Sequence, residues 1–439
     1  MIAHKNWFLP AFFLLLFLGT APAKAQELLT LEEAVKITLE RNFDIKLFAN
    51  DVQIAENNVS RGNAGMLPNV NATLTNNNTI QNSSQTRADG QVNEVSWGRG
   101  STLNYGVGLN WTVFNGFAMF ARFEQLQELQ KLGEANLQQT VLTRVGDVIS
   151  TYYDLVQQQL QLRAYDTAVS LSQFRVQTAK TRFEIGKAAR LEVLNAQVDF
   201  NTDTTNLLRQ QELYRNTQIR LNEIMAREVS TQFRVVDGIT INDQLTLAQL
   251  SSLVEQQNPA LKAAVLNRRV AELQARQVRA SRYPTIGVNT GYSFSHNRSA
   301  LGFSTLSTGN GLTYGVTAAV PIFTGFNQRR NEQNANIQIN SAEIQFQQVN
   351  QNLQAQLAAA FQTYRTNLTL VRLEENNQRI ARQNLDITME KYRLGSITTM
   401  EVRDAQLNFV NSTVRYSNAL YQAKIAEVSL REISGNLDL

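Results

Sequence analysis

Two long stretches of the chain carry an apolar side chain at every seventh position and contain no proline. The first runs from about Phe117 to Phe183, and the second from about Phe326 to Tyr392. A seven-residue apolar period is typical of left-handed coiled coils, and a continuous helix over either stretch would measure roughly 100 Å. The repeating positions are Val148, Leu155, Leu162, Val169, Val176 and Phe183 in the first stretch and Leu357, Tyr364, Val371, Leu385 and Tyr392 in the second, where Gln378 is the exception.

A single glycine ends each predicted long helix, Gly186 in the first and Gly395 in the second. Glycine is favoured just past the C-terminus of a helix, and helical periodicity resumes beyond each one, so each pair of helices is predicted to form a hairpin. The last helix carries two apolar series about 200° apart, which predicts contact with neighbours on two sides, as in the wall of a cylinder. These series are Met400, Leu407, Val414, Tyr421 and Val428, and Val402, Phe409, Tyr416, Ala423 and Leu430.

The apolar period changes to two after Pro68 and again after Pro284, which predicts strands. Alternation returns after an Asn/Ser/Gln/Gly-rich segment at about 76–102, and after a shorter one at about 296–310, which are both predicted loops. Each half therefore holds one β-hairpin of strands about ten residues long, the length of a membrane-spanning β-strand.

The sequences of the two halves align at an offset of about 209 residues, so that Glu192 corresponds to Glu401 and Gln197 to Gln406. Such self-similarity indicates a tandem duplication. The first repeat is predicted at 26–225, with its β-hairpin at about 66–114, its helical hairpin at 117–225 and a tip near 186. A linker at 226–244 follows, with one short strand, and the second repeat covers 245–435, with its β-hairpin at about 283–323, its helical hairpin at 326–435 and a tip near 395.

The first 25 residues have the features of a signal peptide: Lys5, an apolar run from Phe8 to Leu18, and the small-residue site Ala23-Lys24-Ala25. Its removal lowers the formal charge from +4 to +2, and the remaining Lys and Arg are dispersed, so nucleic-acid binding finds no support. There is no cysteine, and one histidine, His296, is left. A His-based metal site, a Ser-His-Asp triad and any other enzyme constellation therefore find no support, and no cofactor is expected.

Four strands cannot close a barrel, because about eight are needed before side chains fill the interior. Bare strand edges are not tolerated in lipid, so membrane strands here would require oligomerisation. A trimer gives twelve strands and about twelve helix columns. The predicted fold class is therefore mainly α-helical with a membrane β-barrel: a homotrimeric twelve-stranded β-barrel joined to a long α-helical barrel of coiled coils.

The signal peptide, the duplication, the Pro321-Ile322-Phe323-Thr324-Gly325 motif and the tip Tyr392 to Ser396 leading to Glu401 resemble the TolC family of outer-membrane efflux proteins. The resemblance implies a trimeric duct that crosses outer-membrane lipid in a Gram-negative bacterium, extends into the periplasm, and docks with a periplasmic adaptor and an inner-membrane transporter. That transporter can be of RND, ABC or MFS type, and neither it nor the cargo (drug, metal or protein) is named by the sequence.

The resemblance also places both tips at the periplasmic entrance. The residues it implies for the gate are Glu401, Asp404, Glu192 and Tyr392, and those for docking an adaptor are Arg182, Gly186, Arg393, Leu394, Gly395 and Ser396. Glu401 has a second interpretation as a helix cap, since Thr398 precedes it by three residues. Ile397 stands where some relatives carry an arginine that ties the closed state, so a different closing network is expected. The rival function is an exported structural or adhesive coiled-coil protein without a channel.

Overall fold

The structure is a computed structural model that describes residues 27–300 and 304–437, so the predicted signal peptide lies outside the described residues. Strands and helices follow one another in the same order twice along the chain. The elements are β1 (Glu27–Leu29), α1 (Leu31–Arg41), α2 (Phe43–Asn58), β2 (Asn69–Thr86), β3 (Val92–Asn115), α3 (Ala118–Glu184), α4 (Arg190–Ile224), β4 (Phe233–Val235), α5 (Leu247–Gln257), α6 (Pro259–Ala280), β5 (Thr285–Arg298), β6 (Leu306–Ala319), α7 (Asn327–Arg393) and α8 (Thr399–Ser434).

Helices α3 and α7 are the longest elements, and each has 67 residues. They confirm the two predicted long helices, and at 1.5 Å per residue each measures about 100 Å. Both begin after a glycine and a phenylalanine in left-handed conformation, Phe117 at φ 68° and Phe326 at φ 62°. Neither interior contains a proline, so nothing interrupts the backbone hydrogen bonds over the whole length.

The two long helices pack against different partners in their two halves. In the half next to the strands, α2 packs on α3, α3 on α6 and α6 on α7. In the half next to the tips, α4 packs on α3, α3 on α8 and α8 on α7. The chain therefore contributes four helix columns at every level, with α4 and α7 on the outer sides of the half that ends at the tips.

The predicted coiled-coil positions are largely confirmed on α7, where Leu357, Tyr364, Leu385 and Tyr392 are buried. On α3 the prediction holds for Val148 and Leu155 and is wrong towards the tip, where Phe183 is 44% exposed. The seven-residue period is present there, but small and polar residues occupy the buried row, because neighbouring helices approach closely and supply hydrogen-bond partners. The row is Gln161, Ala164, Ala168, Ser172, Arg175 and Ala179.

Of the two apolar series predicted on α8, one is buried within the chain. Val402, Phe409, Ala423 and Leu430 are all buried against α3 and α7. In the other series Met400 is 70% exposed and Leu407 39% exposed, so that side faces no other helix near the tip.

The four long strands form one antiparallel sheet in the order β2-β3-β5-β6. The predicted loop at 76–102 is wrong: β2 and β3 stay paired from Asn69↔Asn110 to Thr86↔Val92, and only 87–91 turn. The predicted loop at 296–310 is too long, since β5 and β6 pair from Thr285↔Ala319 to Arg298↔Leu306. Ladder hydrogen bonds satisfy the backbone of the Asn- and Ser-rich segments, so a strand forms there without an apolar face.

A small core lies at mid-length of the helices. The predicted linker strand is present as β4, which pairs in parallel with β1. Thr30 caps α1 by accepting a hydrogen bond from the Glu33 amide at 3.2 Å, and Pro259 is the first residue of α6. The fully buried apolar residues here are Leu29, Val148, Leu155, Val156, Leu221, Met225 and Phe233.

No helix within the described residues is long and apolar enough to cross a membrane.

Candidate functional site

The two hairpin tips have the same local structure. Gly186 at φ 71° and Gly395 at φ 75° sit one residue beyond the C-caps of α3 and α7. The Lys187 amide donates to the Arg182 carbonyl at 2.7 Å, and the Ser396 amide donates to the Lys391 carbonyl at 3.0 Å. This Schellman pattern needs a left-handed residue, which glycine adopts without a Cβ penalty, and it confirms the helix ends predicted from the two glycines.

The two tips touch each other. The Arg182 guanidinium donates to the Tyr392 carbonyl at 3.3 Å and lies 4.7 Å from the centroid of the Tyr392 ring. At the start of the returning helices, the Thr399 hydroxyl donates to the Glu192 carboxylate at 2.5 Å. The residues predicted for the gate and for docking are thus brought to one end of the molecule, and two of them, Arg182 and Glu192, hold the hairpins together.

The acidic residues predicted for the gate lie on the first turns of α8. Glu401 and Asp404 are both exposed and three residues apart, so they share one side of the helix. The Glu401 amide donates to the Thr398 hydroxyl at 3.4 Å, which confirms the cap interpretation of that segment. Tyr392 is 1% exposed, and its hydroxyl has no partner among the described residues.

The residues predicted for docking differ in their solvent exposure and in the contacts they make. Leu394 is 83% exposed at the tip of the second hairpin. Arg393 pairs only with Glu390 on its own helix, at 2.9 Å, and its side chain is 58% exposed. The Ser396 hydroxyl donates to the Lys391 carbonyl at 2.9 Å and so stabilises the turn. The second tip therefore offers an apolar and a basic side chain to solvent.

Between about one and four helical turns from the tips, charged and polar side chains of three helices form a buried ionic cluster. Its members are Ser172 and Arg175 on α3, Asp199 and Asp203 on α4, and Arg403 and Gln406 on α8.

Every carboxylate and guanidinium of the buried ionic cluster has a partner of opposite charge. Arg175 is only 2% exposed and pairs with Asp199. It also donates a hydrogen bond to the side-chain oxygen Oε1 of Gln406 at 3.2 Å. Arg403 donates to both oxygens of Asp203, at 2.9 and 2.7 Å. The side-chain Nε2 of Gln406 donates to the Asp203 carboxylate at 2.8 Å and to the backbone carbonyl of Ala168 at 3.0 Å. Two arginines and two aspartates balance, which makes their burial tolerable.

The buried ionic cluster was not predicted from the sequence, because an apolar period marks only the apolar contacts of a helix. One signal could have found it. Small and polar residues recur every seven positions on α4, which indicates a buried seam that charged groups can enter if partnered. These positions are Ala196, Asp203, Gln210 and Thr217, and all four are buried.

A second polar contact lies between α3 and α8 near mid-length. The Thr143 hydroxyl donates to the Glu432 carboxylate at 3.1 Å. Burial raises the pKa of Glu432, and the nearby Asp147 carboxylate adds to that increase, while the Thr143 hydrogen bond opposes it. Gly146 faces this carboxylate at close range, since a Cβ there would lie 3.2 Å from its Oε2.

Within residues 27–300 and 304–437, no group of three or more His, Cys, Asp or Glu side chains is placed to hold a metal ion.

An antiparallel sheet continued by helices about 100 Å long, with paired hairpin tips at the far end, is the fold of outer-membrane channels in which a β-barrel runs into an α-barrel. The family model described as outer membrane efflux protein matches residues 34–227 and 250–436. The chain therefore belongs to the outer membrane efflux protein family, whose members are channels of the outer membrane.

Individual comparisons agree with this assignment. The chain is 24% identical to outer membrane protein TolC of Vibrio cholerae serotype O1, over 69% of this chain and 69% of that protein. Its fold matches the CmeC outer membrane channel of Campylobacter jejuni with a TM-score of 0.77 at 15% identity, covering 92% of this chain and 85% of that one. It also matches VceC of Vibrio cholerae with a TM-score of 0.74 at 15% identity, covering 92% and 96%. This protein is an outer-membrane efflux channel, and the adhesive alternative is not supported.

Proposed function

We propose that this chain forms a homotrimeric exit duct that receives substrates from a periplasmic adaptor and an inner-membrane transporter and passes them across the outer membrane. The observation that carries the proposal is that one chain supplies four strands and four helix columns. Neither set closes on itself, since about eight strands are the minimum for a filled barrel. Three copies supply twelve strands, which leave an aqueous lumen. The channel conducts passively and has no enzymatic role.

The sides of the protomer support assembly with further copies. Within the described residues, β2 and β6 each pair with one strand only, so each leaves one edge open. Helix α7 carries Leu373, Ile380 and Ile387 at seven-residue spacing, between 51% and 59% exposed, on a side that no other helix covers. Such a row is typical of a coiled-coil contact. The outer side of α4 exposes Leu191 and Val198 at the same spacing, and α4 of one copy is the proposed partner of α7 in the next.

The entrance is assigned to the tips. Glu401 and Asp404 are exposed near the start of α8, and in a trimer they would form two rings of negative charge that favour cations. Glu192 and Tyr392 act differently, because each already contacts the other hairpin. In the proposed mechanism, these contacts and the buried ionic cluster hold α8 against α3 and α4 in the resting state. Widening the entrance requires α8 to leave that position.

Docking of the adaptor is assigned to the second tip. Arg393, Leu394, Gly395 and Ser396 form a narrow turn with an exposed leucine and an exposed arginine. The first tip contributes Gly186, whereas Arg182 serves mainly to join the tips through Tyr392. The choice of substrate is assigned to the transporter.

The test of the duct is single-channel conductance of the purified protein in a planar bilayer, with a salt gradient to read ion selectivity. We expect a small, cation-selective conductance from protein that runs as a trimer. Folded trimers that form no channels would contradict the duct.

A further inference from the structure

The pairing register divides the side chains of the sheet between two faces. One face is apolar and strongly exposed, with Tyr314 at 82% and Leu74 at 72%. The other is made of glycine and small polar residues, among them Gly106, Gly108, Asn110, Gly287 and Asn289. In an outer-membrane channel the apolar face contacts lipid. Its residues include Val70, Leu74, Leu103, Tyr105, Val107, Leu109, Trp111, Val288, Tyr292, Phe294, Leu312, Tyr314 and Val316.

Charged residues are almost absent from the sheet. Within the paired segments 69–81, 98–115, 285–298 and 306–319 of the described chain, the charged residues are Arg99 and Arg298. Both belong to the lipid-facing side, because Arg298 lies opposite Ser101 and Arg99 precedes Ser101 by two positions on β3. Both lie far from the helices, near the level where β5 and β6 end, and both are exposed.

The height of the two arginines corresponds to a lipid headgroup layer. Trp111 marks the layer next to the helices, where its indole Nε1 donates to the Met66 carbonyl at 2.9 Å. Arg99 precedes Trp111 by twelve residues on the same strand and lies further from the helices. Twelve residues at about 3.3 Å each, tilted by roughly 40°, rise about 30 Å, which is the thickness of the hydrocarbon layer. Arg99 and Arg298 therefore leave the hydrocarbon at the outer leaflet, where an arginine costs far less than at the middle of the bilayer.

Arg99 and Arg298 occupy neighbouring positions on one face of the sheet. Side chains on the same face at diagonal positions of neighbouring strands are about 7–8 Å apart, which is the relation between Arg99 and Arg298. Neither forms an ion pair with a described carboxylate. Tyr105 stacks on Phe294 with ring centroids 5.0 Å apart and on His296 at 6.1 Å. These rings belong to the apolar surface next to the two arginines. An apolar surface that ends in two adjacent arginines fits an amphiphile with a phosphate headgroup.

We propose that Arg99 and Arg298 bind the phosphate group of an outer-leaflet lipid, with its acyl chains along the apolar face of β3 and β5. Arginine suits this task, because its planar guanidinium donates two parallel hydrogen bonds to phosphate oxygens. The site anchors the sheet at a fixed height in the membrane. It does not depend on the duct hypothesis, since it needs only the lipid-facing sheet.

The experiment measures binding of diphosphoryl lipid A to the purified protein in detergent by native mass spectrometry. The same lipid with its phosphates removed is the comparison. We expect the variant R99Q/R298Q to bind the phosphorylated lipid at least tenfold more weakly, and R99K/R298K to lose less, since charge is kept without the planar fork. The control R365Q/R379Q removes two exposed positive charges from α7 and should bind like the wild type.

Three results would overturn the proposal: equal binding by R99Q/R298Q, equal binding of the dephosphorylated lipid by the wild type, or displacement of the lipid by inorganic phosphate at equimolar concentration. The last result would indicate a site for free phosphate. If the double variant fails to fold, the single variants R99Q and R298Q replace it, and each should weaken binding about threefold. Unchanged binding in both would reject the site.

Discussion

Arg403 on α8 donates two hydrogen bonds to the carboxylate of Asp203 on α4, at 2.9 and 2.7 Å. The two helices belong to different hairpins, and both side chains are nearly buried, 11% and 6% exposed. This pair, with Arg175 and Asp199 beside it, joins the first hairpin to the second. The position of α8 near the tips therefore depends on a few charged contacts as well as on apolar packing.

Removal of one partner from this pair should be costly. Arg403→Gln leaves Asp203 buried with less compensation, and a broken buried ion pair costs about 3–5 kcal/mol. The measurement is denaturant unfolding of the protein in detergent, followed by circular dichroism. Arg393→Gln is the matched control, because its pair with Glu390 is exposed and such pairs contribute at most about 1 kcal/mol. Equal losses in the two variants would show that the buried ionic cluster does not stabilise the fold.

Two buried tyrosines on α7 should respond differently to loss of the hydroxyl. Tyr364 donates its hydroxyl to the Asn242 carbonyl, so Tyr364→Phe should cost about 1 kcal/mol. Tyr392 has no hydroxyl partner within the described residues, so Tyr392→Phe should change stability by less than about 0.5 kcal/mol. Both side chains are 1% exposed, which makes the comparison well matched. Unfolding midpoints of the two variants test it, and a larger loss in Tyr392→Phe would reject it.

Removal of the exposed acids Glu401 and Asp404 should change conductance and ion selectivity. If Glu401 and Asp404 line the constriction, the double variant E401A/D404A should raise conductance and lower the cation-to-anion permeability ratio by roughly twofold, since rings of carboxylates attract cations. Planar-bilayer recording measures both quantities. Asp51→Ala, an exposed acid on α2 far from the tips, is the control. Unchanged conductance in E401A/D404A would remove these residues from the gate.

The docking surface makes a prediction about export. Arg393→Glu reverses the charge of an exposed residue at the tip, and it should abolish export in cells while the trimer stays intact. Growth in the presence of an exported toxic compound measures the loss. Arg379→Glu makes the same change 14 residues earlier on α7, about 21 Å away, and should leave export normal. Normal export by Arg393→Glu would exclude this arginine from the contact.

Stability should depend on pH through Glu432. Burial raises its pKa in the folded protein, so between the unfolded and folded pKa values the native state binds the extra proton. Stability therefore falls as pH rises through that window. Glu432→Gln keeps an acceptor for Thr143 and removes the charge, so it should raise the melting temperature at neutral pH and flatten the dependence. A lower melting temperature at pH 7 would contradict this assignment.

Apolar periodicity and glycine positions were sufficient to predict the long helices and the tips, because Gly186 and Gly395 report a backbone conformation directly. The same method was wrong at 76–102, where polar residues form strands. Strand pairing is a backbone interaction, and the sequence carries no local sign that Asn77 and Thr102 pair. Arg175 and Asp203 were missed for a related reason, since their burial depends on partners from other helices.

Strands β5 and β6 end at the level of Arg298, but the β2–β3 hairpin continues beyond it. Strand β2 extends eight residues past that level. At about 3.3 Å per residue this is an extension of roughly 25 Å along the strand. Its turn, Arg87 to Gln91, is a short polar loop with Gly90 at φ 87°. In the proposed duct this turn lies outside the cell, so insertion of an epitope or a fluorophore-binding tag between Asp89 and Gly90 should label living cells and allow single channels to be counted and followed.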